Sequence, residues 1–369
     1  VNSKDTFPAF TADLRRFMRA CSPTGQDSPA RDSEFNRLAL RLFALQFEHN
    51  RLYRRFCEAT GATPASVTGW REIPAVPSAG FKEADLTCLA RDERTHVFFS
   101  SGTTAQKRSR HVHSGESLAI YEASVWAWFE AHLAPEETQL VLILLTPPPQ
   151  AAPNSSLVHM LDTVRQKLAR PASAFTGTAL PDGSWEINFP QAIAKLESAQ
   201  PEASRALVLG TAFSFVHLLD ELEHRGLAFR LPTGSGAMET GGYKGRSRAM
   251  SKEALHARIA SGMGLPRVAI VSEYGMSELG SQAYDTRVGA GGARALRFPP
   301  WARSRVVSPE TGIEVSEGEV GLIHVLDLAN VYSAMHLQTE DMGIRRGDGF
   351  EMAGRAALSE PRGCSLQLA

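Results

Sequence analysis

The sequence predicts an α/β fold of mostly parallel sheets flanked by helices, and two observations predict it. Short, β-favouring apolar runs alternate with helical stretches from Val97 to about residue 290. Each of four such runs is followed by a segment rich in Gly, Ser, Thr or Pro, and open α/β sheets bind ligands outside the carboxyl ends of their strands. At 369 residues the chain exceeds what one hydrophobic core usually spans, so a major domain with a smaller appended one is expected. The divisions read from the text are a helical region at 1–96, an α/β core at 97–290, and a small β-rich subdomain with a tail at 291–369.

The elements follow in order. From Ser33 to Thr60, Leu38, Leu42, Leu45, Leu52 and Phe56 recur at helical spacing, with Gly61 as a C-cap. Pro64, Pro74 and Pro77 mark a connecting stretch. The strands of the sheet are then Val97–Phe99, Leu140–Leu145, Ala206–Leu209 and Val268–Val271, continuing into SSGTT, TPPPQAAPNSS, GTAFS and SEYGMSE. Helices are expected at Ser114–Leu133, Ser155–Leu168, Phe213–His224 and Ser251–Ile259. After the glycine-rich DTRVGAGGARALRFPP, strands are expected at Arg303–Val307, Gly318–Leu326 and Asp348–Met352. The four strand exits suggest a shared cleft.

Composition narrows the function classes. A net charge of -1 gives no electrostatic reason to invoke nucleic acid or an anionic membrane. VNSKDTFPAF lacks the basic and apolar regions of a signal peptide, and Leu140–Leu145 is too short to span a bilayer. Cys21, Cys57, Cys88 and Cys364 form no CxxC pair, which argues against a zinc site or disulfide framework and fits a reducing cytoplasm.

Four segments carry candidate chemistry. Ser100-Ser101-Gly102-Thr103-Thr104, followed by Lys107, Arg108 and Arg110, offers backbone N–H groups, hydroxyls and cations to a polyphosphate; it is not a Walker A loop, and a plain surface turn is the alternative. In Ser272-Glu273-Tyr274-Gly275-Met276-Ser277-Glu278 a ring that can stack a purine stands next to a hydroxyl and a carboxylate that can hold Mg²⁺. Asp341, with Gly354-Arg355 following, can accept the two hydroxyls of a ribose. Gly234–Lys244, with Gly241 and Gly242, would let backbone approach a flat ligand such as adenine; an ordinary loop is the alternative. His111 and His113 put two imidazoles on one strand face with no third ligand nearby, which argues against a metal site, although either could touch substrate. His159, His217 and the Trp126, Trp128, Phe129 cluster read as core.

In this order the segments resemble the adenylate-forming superfamily. Asn154–Met160, Gly210–Phe213, Glu239–Lys244 and the ending Arg362-Gly363-Cys364-Ser365-Leu366 are similar to the acyl-protein synthetases of the bacterial bioluminescence fatty acid reductase type. The resemblance implies the N-terminal-domain type of that fold, without the C-terminal lid domain. It implies that Ser100, Ser101, Gly102, Thr103 and Thr104 contact phosphates of ATP, and that Gly241, Gly242, Tyr274 and Gly275 frame the adenine. Ser277 would meet the α-phosphate, Glu278 would bind Mg²⁺, and Asp341 with Arg355 would hold the ribose. Cys364 would accept the acyl group, its thiolate favoured by Arg362. The implied reaction is ATP-dependent conversion of a carboxylic acid, a fatty acid in this group, to acyl-AMP, then transfer to a thiol. An acyl-accepting reductase, transferase or carrier protein is the implied partner. One departure stands out: the superfamily loop continues with Gly and then Pro-Lys, and here the text is Ala105-Gln106-Lys107-Arg108. A ligase for an aromatic or other small acid, and an inactive nucleotide-binding partner protein, are the alternatives.

Overall fold

The structure, a computed structural model, describes residues 6–21, 28–100, 107–135, 140–168, 171–181, 183–199, 205–241 and 250–355. The chain divides into two compact units. One comprises Val1–Ala127, Met276–Gln282 and Arg297–Ala369, the other Trp128–Gly275 and Ala283–Leu296. The changes of local texture near residues 97 and 290 are therefore not the borders of these units, because the chain leaves and re-enters each of them.

The second unit is built on a six-stranded sheet. Its strand order is Ala283–Tyr284, Ile270–Tyr274, Gly236–Thr240, Arg205–Thr211, Leu140–Leu144, Ala174–Phe175, and every pairing but the first is parallel. Leu142, Ile143 and Leu144 are fully buried, as strands covered on both faces require. Helices Phe189–Ser198, Ala212–His224 and Lys252–Met263 pack Leu196, Phe215, Leu219, Ile259 and Met263 onto Ile143, Val208, Ala237 and Ile270. The hydroxyls of Thr211 and Ser251 accept from Ser214 N and Ala254 N, which starts two of these helices directly after their strand or loop.

Two sequence expectations change here. Gly236–Thr240, read as part of a glycine loop, is a fully buried strand of the sheet. Arg267–Ala269 is a 3-10 turn, so the neighbouring strand runs Ile270–Tyr274 rather than Val268–Val271. The turn forms because Pro266 precedes it and Ala269 N donates to Pro266 O.

The first unit holds helices Phe7–Ala20, Pro29–His49 and Arg51–Ala59, a five-stranded sheet and a two-stranded ribbon. The single helix expected over 33–60 is broken at Asn50, which leaves helical geometry and accepts from Tyr53 N at 3.1 Å, capping the next helix. In the sheet, Val76–Pro77 pairs in parallel with His336–Arg346, followed by Val320–Asp327 and Ala302–Val307 antiparallel, while Gly349–Arg355 pairs with the same long strand. The ribbon joins His96–Phe99 to Arg110–His113 antiparallel. This corrects another expectation: the strand before Ser100 pairs within this ribbon and is not in the parallel sheet. Among the described residues no helix is long and apolar enough to cross a membrane.

Candidate functional site

In the first unit the segment 277–281 is held almost entirely through its backbone. His111 is buried, and its Nδ1 lies 2.9 Å from Ser277 O; a carbonyl only accepts, so Nδ1 carries the proton and donates. Burial pushes the His111 pKa down to about 4, against a small opposing pull from that carbonyl, so the ring is neutral near pH 7. Asn330 Nδ2 donates to Glu278 O at 2.7 Å, and Gly280 N donates to Asp327 Oδ2 at 2.9 Å. Ser281 Oγ donates to Asp327 Oδ1 at 2.8 Å. Burial raises the Asp327 pKa to about 6, so the carboxylate that organises this turn is ionised at neutral pH.

The clamped backbone presents Ser277 and Glu278. Ser277 Oγ donates to Glu278 Oε2 at 2.8 Å, and Ser109 Oγ lies 3.5 Å from Ser277 Oγ, long for a hydrogen bond. Glu278 Oε1 has no protein partner among the described residues. No group of three His, Cys, Asp or Glu able to hold a metal occurs among them either. That donor set fits Mg²⁺, which is commonly bound by one or two carboxylates with water and phosphate oxygens completing the shell. It does not fit a structural zinc site.

At the ribbon, Ser100 N donates to Ser109 O at 3.2 Å and Ser109 N to Ser100 Oγ at 3.0 Å. Ser101, Gly102, Thr103 and Thr104 lie outside the described residues, as do Gly242 and Cys364. Lys107, the cation nearest the superfamily lysine in the text, is committed to Glu83 at 2.8 Å, both side chains more than half exposed.

Asp341 sits mid-strand in His336–Arg346, directly opposite Arg355. It is 8% exposed, and Arg355 Nε reaches its Oδ1 at 3.2 Å. Thr339 Oγ1 donates to Ile323 O and accepts from Asp341 N, which fixes the backbone beside the carboxylate.

The second unit brings Gly241 and Tyr274 to the ends of adjacent strands, in register Glu273 with Thr240. Gly241 has φ of +70°, a left-handed conformation that lets the chain turn away immediately after Thr240. Tyr274 is buried and Gly275 exposed. Just before these ends the two strands carry buried polar pairs, one on each face of the sheet, that sequence reasoning missed. Thr240 Oγ1 donates to Glu273 Oε2, and burial raises the Glu273 pKa to about 7, with the nearby Glu239 adding to the rise. Ser272 Oγ donates to Glu239 Oε1 at 2.5 Å, and His256 Nε2 lies 3.3 Å from the same oxygen. Asp285 Oδ1 accepts from Ser272 N at 2.8 Å, and its other oxygen binds Lys252 at 2.8 Å and Arg294 at 3.3 Å. The available signal was period-2 alternation: Glu239 and Ser272, then Thr240 and Glu273, fall on opposite faces of neighbouring strands.

Of the histidines read as core, His217 is exposed, its ring 4.2 Å from Phe213, and His159 is half-buried. His111 and His113 do share a face, with ring centroids 4.2 Å apart. Trp128 and Phe129 are buried, and Trp126 is half-buried.

Residues 17–369 match the family model described as acyl-protein synthetase, LuxE. The chain belongs to that family. It is 23% identical over 351 residues to the long-chain-fatty-acid–luciferin-component ligase of Vibrio harveyi, covering 90% of this chain and 86% of that one. The ligase of the same description from Aliivibrio fischeri is 22% identical over 355 residues, with 90% and 87% covered. Among solved structures, an open conformation of 2-hydroxyisobutyryl-CoA ligase in complex with 2-HIB-AMP and CoA superposes with a TM-score of 0.65 at 15% identity. It covers 91% of this chain and 75% of that one, a likeness of fold. The acyl-protein synthetase family places this chain among the acyl-adenylate-forming ligases, and its α/β architecture is that of their N-terminal domain.

Proposed function

We propose that this acyl-protein synthetase uses Mg-ATP to convert a long-chain fatty acid to acyl-AMP and then accepts the acyl group on Cys364, for delivery to a reductase, transferase or carrier protein. The observation that carries the reading is the 277–281 segment. Its backbone is held by His111, Asn330 and Asp327, and among the described residues Glu278 keeps one carboxylate oxygen without a protein partner. Fixed donors and charges of this kind suit a reaction whose barrier is mainly electrostatic and geometric.

In the first step a carboxylate oxygen of the acid attacks the α-phosphorus. The bond from that phosphorus to the α,β-bridging oxygen breaks, and pyrophosphate leaves with the electron pair. Ser277 Oγ would turn from Glu278 to donate to an α-phosphate oxygen, and Glu278 would hold Mg²⁺. The metal, when bound, supplies positive charge against the triphosphate. Asp341 would accept the ribose hydroxyls, with Arg355 setting the orientation of its carboxylate. Gly241 and Tyr274 would frame the adenine, and Ser100 to Thr104 with Gly242 would meet phosphate and base through backbone N–H groups. In the second step the Cys364 thiolate attacks the acyl carbonyl, a thioester forms, and AMP leaves with the electrons of the broken C–O bond. The substrate assignment follows the long-chain-fatty-acid description of the Vibrio harveyi and Aliivibrio fischeri relatives, and the cysteine follows the RGCSL segment.

Intact mass after incubation with Mg-ATP and a panel of fatty and aromatic acids tests both steps. The expected result is an acyl-sized, hydroxylamine-sensitive adduct that Cys364→Ala abolishes while pyrophosphate release persists. An adduct that survives in the variant would refute Cys364 as acceptor.

A further inference from the structure

His111 lies on the ribbon strand Arg110–His113, yet its one polar commitment in that direction is to a residue 166 positions away, the Ser277 carbonyl. The residue two before it, Ser109, is fully buried beside the Ser277 hydroxyl. Ser109 is itself cross-linked to Ser100 by two hydrogen bonds just beyond the Phe99–Arg110 pair of the ribbon. The imidazole packs against the His113 ring, centroids 4.2 Å apart, and against Phe81 in a T-shaped contact with centroids 5.9 Å apart. It therefore has little freedom to leave the carbonyl. Ordinary packing would be served by any side chain of this volume. The hydrogen bond requires a donor at the δ position, on a ring with no other acceptor to satisfy.

We propose that His111 is a positioning residue for Glu278: its Nδ1–H fixes the Ser277 carbonyl and so sets the register of the Ser277–Glu278 pair against Ser109 and the ribbon. With the Ser277 carbonyl held by His111 and the Glu278 carbonyl held by Asn330, the two peptide planes that flank the Glu278 Cα are both fixed, and they aim the Glu278 side chain. Without the donor the Ser277 carbonyl is buried and unsatisfied, and the peptide turns to find another partner. His113, on the same face, has its Nδ1 3.1 Å from Ser117 Oγ, in its own helix–strand segment, and serves as the internal control. The inference rests on the functional reading above for what Glu278 holds, but the link itself is a property of this chain.

The test compares His111→Asn, whose Nδ2 stands where Nδ1 does, with His111→Leu and His111→Gln, which have no donor there, and with His113→Asn. Two quantities are read: hydrogen exchange of the 276–281 amides, and the Mg²⁺ concentration for half-maximal pyrophosphate release. His111→Leu and His111→Gln should each speed exchange in that segment and raise the Mg²⁺ requirement about tenfold. His111→Asn and His113→Asn should stay within about threefold of wild type in both. Should the leucine variant fail to fold, the two amide variants, Asn and Gln, decide. Asn and Gln behaving alike, or both leaving exchange and Mg²⁺ requirement unchanged, would overturn the proposal. A wild-type protein that releases no pyrophosphate with any acid would instead sink the functional reading, and the exchange data alone would then judge the positioning role.

Discussion

The strand exits at Phe99 and at Tyr274 look alike as text, and the molecule builds them differently. Each lies at or just past a short apolar run, Val97–Phe99 or Val268–Val271, and places an aromatic residue directly before Ser or Gly. The Ile270–Tyr274 exit belongs to a parallel sheet, buried on both faces, and its end is fixed by neighbours in register. The His96–Phe99 exit belongs to a two-stranded antiparallel ribbon, and its end is fixed by two serine hydrogen bonds and little else in the strand direction. The difference teaches that residues following a strand do not reveal which sheet the strand joins. The partner strand decides, and here that partner lies eleven residues on, across the candidate loop itself.

The comparison can be broken most directly at the charge on the exit of the 270–274 strand. Glu278→Gln keeps shape and the Ser277 hydrogen bond while removing the charge, and pyrophosphate release should fall about 100-fold or more with folding intact. A loss below threefold would show that Glu278 is not the metal carboxylate. Asp341, on the antiparallel sheet, comes next: Asp341→Asn should raise the KM for ATP about tenfold with a smaller change in kcat. An unchanged KM would remove the ribose assignment.

The buried Thr240–Glu273 pair gives a third prediction, in stability. The Glu273 pKa is raised by folding, so between the unfolded value and about 7 the folded state binds more protons than the unfolded one. Its contribution is therefore fully present below the unfolded pKa and is lost as pH rises through about 7. Glu273→Gln, which cannot ionise, should gain on wild type by up to about 3 kcal/mol from pH 4.5 to pH 8. A difference in unfolding free energy that does not change with pH would contradict this account. The smallest effect belongs to the ribbon. Lys107 pairs with Glu83 in an exposed setting, so Lys107→Ala should change stability by less than about 0.5 kcal/mol and leave the KM for ATP within twofold. A large rise in KM would restore Lys107 to the phosphate-contacting role of the superfamily lysine.

Much of the α/β core was legible because its strands are aliphatic. Leu140–Leu144 and Arg205–Thr211, with helices Gly115–Leu133, Ser156–Leu168 and Ala212–His224, stand within a residue or two of where periodicity puts them. The strands that carry polar chemistry were harder to see, for a physical reason. In His336–Arg346 the inward positions after Leu337 are Thr339, Asp341 and Gly343, so the buried face of the strand is polar or blank. In Gly236–Thr240 the buried Glu239 and Thr240 are satisfied by Ser272, His256 and Glu273, partners far off in sequence. Candidate site residues were found where motif text is dense, as in Tyr274, Ser277, Glu278 and Asp341. The supporting groups, His111, Asn330, Asp327 and Glu273, act through hydrogen bonds between distant segments, and no local spacing announces those.

The central claim is that this acyl-protein synthetase forms an acyl-adenylate, and acid-dependent exchange of labelled pyrophosphate into ATP tests it most directly. The account predicts exchange that requires Mg²⁺ and a fatty acid, that survives Cys364→Ala, and that is lost in Glu278→Gln. Exchange absent from wild-type protein with every acid tried, while ATP still binds, would contradict it.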